Sequence, residues 1–126
     1  MNITPQVRLQ RARNCLIGYL ELAANIEQQK QLTDADIVNE VLEQWADWVS
    51  PNWRDEFISP VFSIYECAAV NTFQTAWERI HTTLPTPRPS LVQAEHDATW
   101  IEFIQAAQVC LKVFLERGRF SETQEI

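Results

Sequence analysis

The sequence predicts an all-α fold: a compact bundle of four main helices, with a short extra helical turn and a proline-rich linker before the last helix. Apolar residues recur at three- and four-residue steps in four segments, which is the periodicity of helices with one buried face. Cap residues and prolines separate these segments. No run of β-branched residues alternates with polar ones as in a strand. The 126 residues fit one domain at 1–120, and residues 121–126 are expected to fray.

The first helix is predicted to begin at Thr4-Pro5, where a cap residue precedes a proline at the first helical position. Its apolar periodicity extends to about Gln29. Cations near a helix start are disfavoured by the helix dipole, although by only a few tenths of a kcal/mol. Three arginines there are expected on the solvated surface, with a functional basic patch as the alternative: Arg8, Arg11 and Arg13.

The second helix has the clearest apolar pattern in the chain. Thr33 and Asp36 form a pair like a capping box, and Ser50-Pro51 ends the helix. The residues predicted to cover its buried arc are Val38, Val41, Leu42, Trp45, Trp48 and Val49. Residues 51–58 then predict a short helical turn.

Two further helices follow, each with its own start signal. Ser59-Pro60 is predicted to open the third helix, whose inward residues include Val61, Phe62 and Tyr65. Alternating prolines in residues 84–89 favour an extended linker. Ser90 and Gln93 form a capping box at the start of the fourth helix, and Gly118 is a good C-terminal cap.

Composition excludes several functions. Only two glycines argue against phosphate-binding loops. Ten basic against 17 acidic residues give a net charge of −7, which repels nucleic acid. No apolar run after the N-terminus predicts a signal sequence or a membrane span. The three cysteines are not spaced as a disulfide framework or zinc site and are expected to be buried thiols in a reducing, cytoplasmic protein: Cys15, Cys67 and Cys110.

An acidic stripe is predicted on the second helix. Asp36, Glu40, Glu43 and Asp47 are spaced four, three and four apart, so they share one side of the helix, away from the apolar arc. Further acids nearby are Asp34, Asp55 and Glu56. The stripe is either a solvated face or a docking face for a cationic partner. A divalent metal would need ligands from another element as well.

Trp53 is the tryptophan that core packing explains least, because the other four fall on apolar helix faces. A tryptophan surrounded by charged residues is typical of a binding hot spot. Trp53 is therefore predicted to be an apolar anchor in a partner-binding site whose acidic members are Asp36, Glu40, Glu43, Asp47, Asp55 and Glu56.

Two other groups of residues suggest chemistry. Glu66 projects to the apolar arc of the third helix, where a carboxylate needs hydrogen-bond donors, and His96 is one candidate contact across the core. A structural polar pair, with Tyr19, Tyr65 or a buried water as other partners, is favoured over a catalytic acid–base pair. Glu78 and His81 match half of a di-iron motif, but Gln93 stands where the second half needs a glutamate before His96.

In size, acidity and helicity the chain resembles bacterial immunity proteins, which neutralise toxins, often basic nucleases, by covering them. This resemblance rests on bulk properties, and it implies an inhibitor without a catalytic site, cofactor or metal. The alternatives are a subunit or adaptor of a larger assembly, including a homodimer through the outer side of the fourth helix, and a metal-binding bundle enzyme. The residues of these two alternatives are Val109, Cys110 and Val113 for the first, and Glu66, Glu78, His81 and His96 for the second.

Overall fold

The computed structural model describes residues 3–32 and 36–126, and every regular element within them is a helix. The helices are α1 (Pro5–Ala23), α2 (Ile26–Lys30), α3 (Ile37–Trp48), α4 (Trp53–Glu56), α5 (Ile64–Thr83), α6 (Leu91–Ala94) and α7 (Ala98–Leu115). Four of them are long, so the prediction of an all-α bundle with four main helices is confirmed. The predicted cap residue Thr33 and the nearby acid Asp34 lie outside the described residues.

Side-chain caps explain where the first helices begin and end. Thr4 Oγ1 accepts a hydrogen bond from the backbone N–H of Val7 at 3.2 Å, as the cap signal predicts. α1 ends at Ala23 rather than near Gln29, because Asn25 caps a separate helix, α2, through its Oδ1 atom. The prediction of one continuous first helix up to about Gln29 is therefore wrong, because the structure has two helices there.

The third and fourth predicted helices also differ from the structure at their starts. α5 begins at Ile64, not at Ser59-Pro60, because Ser63 and Glu66 form a complete capping box. Tyr65, expected to point inward, is 73% exposed. The Ser90 capping box is present but starts only the short α6, since Asp97 caps α7 separately.

The core lies where α7 packs between α1 and α5, with α3 against α1. α5 and α7 run antiparallel, since ion pairs join Glu66 to Arg117 at one end and Arg79 to Glu102 at the other. Buried aromatic rings fill the centre and contact one another: Trp45–Phe73 at 4.6 Å, Phe73–Phe103 at 5.6 Å and Trp100–Phe103 at 4.7 Å. Each such buried ring contributes about 2–3 kcal/mol of transfer free energy.

The C-terminal segment packs against α1. Gly118 adopts a φ of 71°, a left-handed conformation that favours glycine, and redirects the chain after α7. Gln10 Nε2 then donates to the carbonyl oxygens of Ser121 and Gln124, both at 2.8 Å. Asn14 donates to the carbonyl of Phe120 at 2.9 Å. The expectation that residues 121–126 fray is therefore corrected: α1 side chains hold their backbone.

α7 meets the length and composition criteria for a membrane-crossing helix, and it is the one helix of the described chain that does so. Core helices of soluble proteins meet the same criteria, and α7 supplies Trp100, Phe103 and Phe114 to the core. The three cysteines are free but differ in burial: Cys15 is exposed, Cys67 half-buried and Cys110 buried. The expectation of three buried thiols is thus wrong for Cys15, which lies on the outer side of α1.

Candidate functional site

An acidic surface extends over α3 and α4. It comprises Asp36, Glu40, Glu43 and Asp47 along α3 with Asp55 and Glu56 on α4, and all six residues are exposed. The surface forms because the opposite side of α3 is committed to the core, where Val41, Leu42 and Trp45 are at most 1% exposed. The stripe therefore lies on the solvent side, as its spacing predicts.

The carboxylates of this surface make few contacts with the chain's own cations. Glu43 meets His81 Nε2 at 3.1 Å, and Glu56 accepts from the Ser50 hydroxyl at 2.9 Å. Glu40, Asp47 and Asp55 make no ion pair within residues 3–32 and 36–126. Their negative charge is therefore left to solvent and to whatever approaches.

Five of the chain's ten Lys and Arg residues pair with acids away from this surface. These ion pairs are Arg13 and Arg117 with Glu66, Lys30 with Glu27 and Glu95, Arg79 with Glu102, and Arg119 with Glu21. Arg54, the one cation on α4, has its guanidinium carbon 4.5 Å from the Trp53 ring centre and donates to Asn71. Arg88 also lies near this surface, since it lines a cleft with Asp36 and Glu43, so acidic side chains outnumber the cations around α3 and α4 but are not alone there.

The tryptophan expected as an anchor is part of the core. Trp53 is 4% exposed and its ring lies 5.8 Å from that of Phe57, beneath the Arg54 guanidinium. Its prediction as an exposed anchor is corrected, because α4 folds down and buries it. Trp48, which was predicted to lie on the buried arc of the second helix, is instead 40% exposed, so that prediction is wrong. Trp48 is the last residue of α3 and lies beside Asp47. Its position just before the helix end at Ser50-Pro51 is the one feature of the sequence that could have indicated its exposure.

A cleft of about 440 Å³ borders this surface between α3, α4 and α5. Trp45, Trp53 and Trp77 line it together with polar residues. Trp45 Nε1 donates to Gln74 Oε1, and Gln74 Nε2 donates to Glu78 Oε1 at 2.9 Å. These bonds fix an amide and a carboxylate at the cleft wall, where they are suited to receive a polar side chain from a partner.

Glu66 is buried, as its position predicts, but its partners are arginines. Arg13 Nη2 and Arg117 Nη2 each lie 2.6 Å from one of its carboxylate oxygens, and the Ser63 N–H donates to it at 3.0 Å. Burial by itself raises the pKa of the Glu66 carboxyl, but the hydrogen bonds from Arg117, Arg13 and Ser63 outweigh burial and lower it. The predicted contact with His96 is wrong, since the His96 side chain is 80% exposed beside Glu95.

Arg13 contradicts the prediction that the three arginines near the start of α1 lie on the solvated surface. It is fully buried, and its guanidinium carbon lies 4.0 Å from the Phe120 ring centre and 5.2 Å from that of Phe114. Its Nη1 atom donates to the carbonyl of Gly118 at 2.5 Å. The buried Arg13 and Glu66 and the partly exposed Arg117 thus form a charge network that joins α1, α5 and the end of α7.

The four residues of the metal-site hypothesis have separate partners. Glu66 binds arginines, Glu78 accepts from Gln74, His81 contacts Glu43 and the Trp77 ring, and His96 lies beside Glu95. Within the described part of the chain, no group of three His, Cys, Asp or Glu residues is placed to hold a metal ion. The structure therefore does not bring that set together.

Comparison of the chain with protein-family models, curated protein sequences and solved structures found no match. The function therefore has to be inferred from the residues of this chain and their geometry.

Proposed function

We propose that this chain is a small acidic binding protein of the immunity or antitoxin kind, which acts in the cytoplasm and neutralises a cationic, nuclease-like toxin by covering it. The observation that supports the proposal most is the set of three acidic side chains on α3 and α4 that form no ion pair in the described chain. Glu40, Asp47 and Asp55 are exposed and make no ion pair in the described chain, although five of the chain's cations pair with acids elsewhere.

The mechanism is occlusion with electrostatic guidance. A predominantly negative surface speeds the encounter with a positively charged protein and disfavours wrong partners. Lys and Arg side chains of the toxin would then pair with Glu40, Asp47 and Asp55. Trp48, 40% exposed at the end of α3, would supply the apolar contact inside this charged rim. The role requires no catalytic residue, cofactor, metal ion or direct contact with nucleic acid.

A face kept acidic only for solubility is the competing explanation, and it predicts no loss of binding when the charge is moved. The full chain, tagged, is used to isolate partners from the native host, and captured proteins are identified by mass spectrometry. The test variant is Glu40→Lys with Asp47→Lys. The matched control is Glu116→Lys with Glu125→Lys, which makes the same charge change at two exposed glutamates away from α3 and α4.

We expect a protein with an excess of Lys and Arg to be captured by the unmodified chain and by the control, and to be lost with the α3 variant. Retention of that protein by the α3 variant would contradict the proposal. Equal loss with both variants would also contradict it, because the effect would then follow net charge rather than this surface.

A further inference from the structure

A second surface, on the other pair of long helices, is apolar and uncovered. The α5–α7 groove is defined by Tyr65, Ala68 and Thr72 on α5 and by Ala106, Val109 and Val113 on α7, and it encloses about 420 Å³. Phe73 and Cys110 form its floor. On both helices the defining residues follow steps of three and four, the spacing of a seam that receives another helix.

The groove offers apolar contact and little else. Tyr65 is 73% and Val109 64% exposed, so its walls are not covered within this chain. None of its lining residues is charged. The Thr72 hydroxyl already donates to the carbonyl of Ala68 at 3.1 Å, and burial raises the pKa of the Cys110 thiol to about 12, which keeps it neutral. The partner that fits is another uncharged apolar surface.

We propose that the α5–α7 groove is the interface of a homodimer. Each chain carries a net charge of −7, so two copies repel wherever acidic residues meet, and this charge-free groove removes that repulsion from the contact itself. A cationic protein has no charged group to pair with here. The same surface can therefore accept a second copy while the acidic surface of α3 and α4 takes a different partner.

The shapes of the two groove walls support self-association. Beyond Tyr65 at its end, the α5 wall has the small residues Ala68 and Thr72, whereas beyond Ala106 the α7 wall has the larger Val109 and Val113. Because α5 and α7 are antiparallel, a twofold axis parallel to them places the α7 of one copy across the α5 of the other at the same height. The valines of each copy then meet the small residues of its partner, and all neighbouring helices are antiparallel, as in a four-helix bundle.

The test is sedimentation velocity of the full chain from about 1 to about 100 μM, since a dimer is concentration-dependent. We expect the unmodified chain to reach twice the mass of one chain within this range. Val109→Lys places a charge in the apolar contact and should weaken dimerisation at least about tenfold. Val92→Lys is the matched control, because Val92 on α6 is 72% exposed and lies outside the groove. At a concentration where the unmodified chain is monomeric, both variants should unfold at the same temperature as the unmodified chain.

Three outcomes would overturn the proposal. The unmodified chain could stay monomeric at the highest concentration, or Val109→Lys could dimerise as the unmodified chain does. A monomer that binds neutral phosphatidylcholine vesicles through the groove would assign it to a lipid surface instead. Glu40→Lys with Asp47→Lys should not weaken dimerisation, so the homodimer and the toxin-binding role can fail separately.

Discussion

Glu66 and Glu40 are both helical glutamates, but they lie in opposite surroundings. Glu66 is 1% exposed and lies between two arginines, whereas Glu40 is exposed, follows Asp36 by one helical turn and makes no ion pair in the described chain. An unpaired carboxylate is far more costly inside a protein than at its surface. The comparison teaches that the buried carboxylate of Glu66 requires two of the chain's arginines as partners, whereas Glu40 on the outer face of α3 has no cation paired with it.

This difference separates two physical roles of the same residue type. In the interior, the carboxylate joins α1, α5 and the end of α7 through Arg13 and Arg117, so its loss should affect the free energy of unfolding. At the surface, the carboxylates interact weakly with the rest of the chain, so their loss should affect association with a partner instead. Changes at each site can separate these two effects.

The largest expected effect is on Glu66. Glu66→Gln removes the carboxylate charge and leaves the guanidinium of Arg13 buried with a neutral partner. Breaking one side of a buried ion pair typically costs about 3–5 kcal/mol, and we expect a loss of about 4 kcal/mol here. Urea unfolding monitored by tryptophan fluorescence measures it. Glu40→Gln is the matched control and should change the unfolding free energy by less than about 0.5 kcal/mol; equal losses at both positions would refute the comparison.

The next largest effect separates the two tryptophans near the acidic surface. Trp53 is 4% exposed and Trp48 is 40% exposed, so only the first belongs to the core. Trp53→Ala should reduce the unfolding free energy by about 3 kcal/mol, because it leaves a cavity beside Phe57. Trp48→Ala should cost less than about 1 kcal/mol. Thermal unfolding of both variants checks this. A larger loss of unfolding free energy for Trp48→Ala than for Trp53→Ala would contradict the role of Trp48 as the exposed apolar contact.

A smaller effect is the response to acid. The pKa of Glu66 is lower in the folded chain than its unfolded value of about 4.3. Its stabilising contribution is therefore complete above the unfolded value and is lost as pH falls through the folded one. Below about pH 4.3, the unfolding free energy of the unmodified chain should fall more steeply than that of Glu66→Gln. Urea unfolding at a series of pH values checks this, and parallel curves would contradict the role of the charge network.

The smallest effect is at the surface. Glu40→Lys replaces a like-charge contact with Asp36 and Glu43, three or four residues away, by an attractive one. It should raise the unfolding free energy by a few tenths of a kcal/mol, and the gain should shrink at high salt. A loss of more than about 1 kcal/mol would mean that Glu40 has a structural role like that of Glu66.

The sequence is sufficient to predict those features of the fold that depend on a local pattern of residues. The period of α3 predicts that helix and its exposed stripe, and the N-cap at Thr4 and the capping box at Ser90 predict where α1 and α6 begin. Breaks at Asn25 and Asp97 were missed, although both are cap residues, because the apolar period continues across them. The burial of Glu66 follows from its helical position. Its partners do not, since Arg13 and Arg117 lie 53 and 51 residues away in the chain and no local period encodes such a contact.

The most direct test of the central claim is the association rate with the captured cationic partner, measured by stopped flow at increasing salt. The unmodified chain should bind fast at low salt and slow steeply as salt rises, since the attraction is between exposed charges. The Glu40→Lys and Asp47→Lys variant should bind about tenfold more slowly at low salt with a flatter salt dependence, while the Glu116→Lys and Glu125→Lys control keeps the steep one. An association rate that is unchanged in the α3 variant would contradict the claim that the acidic surface meets the partner.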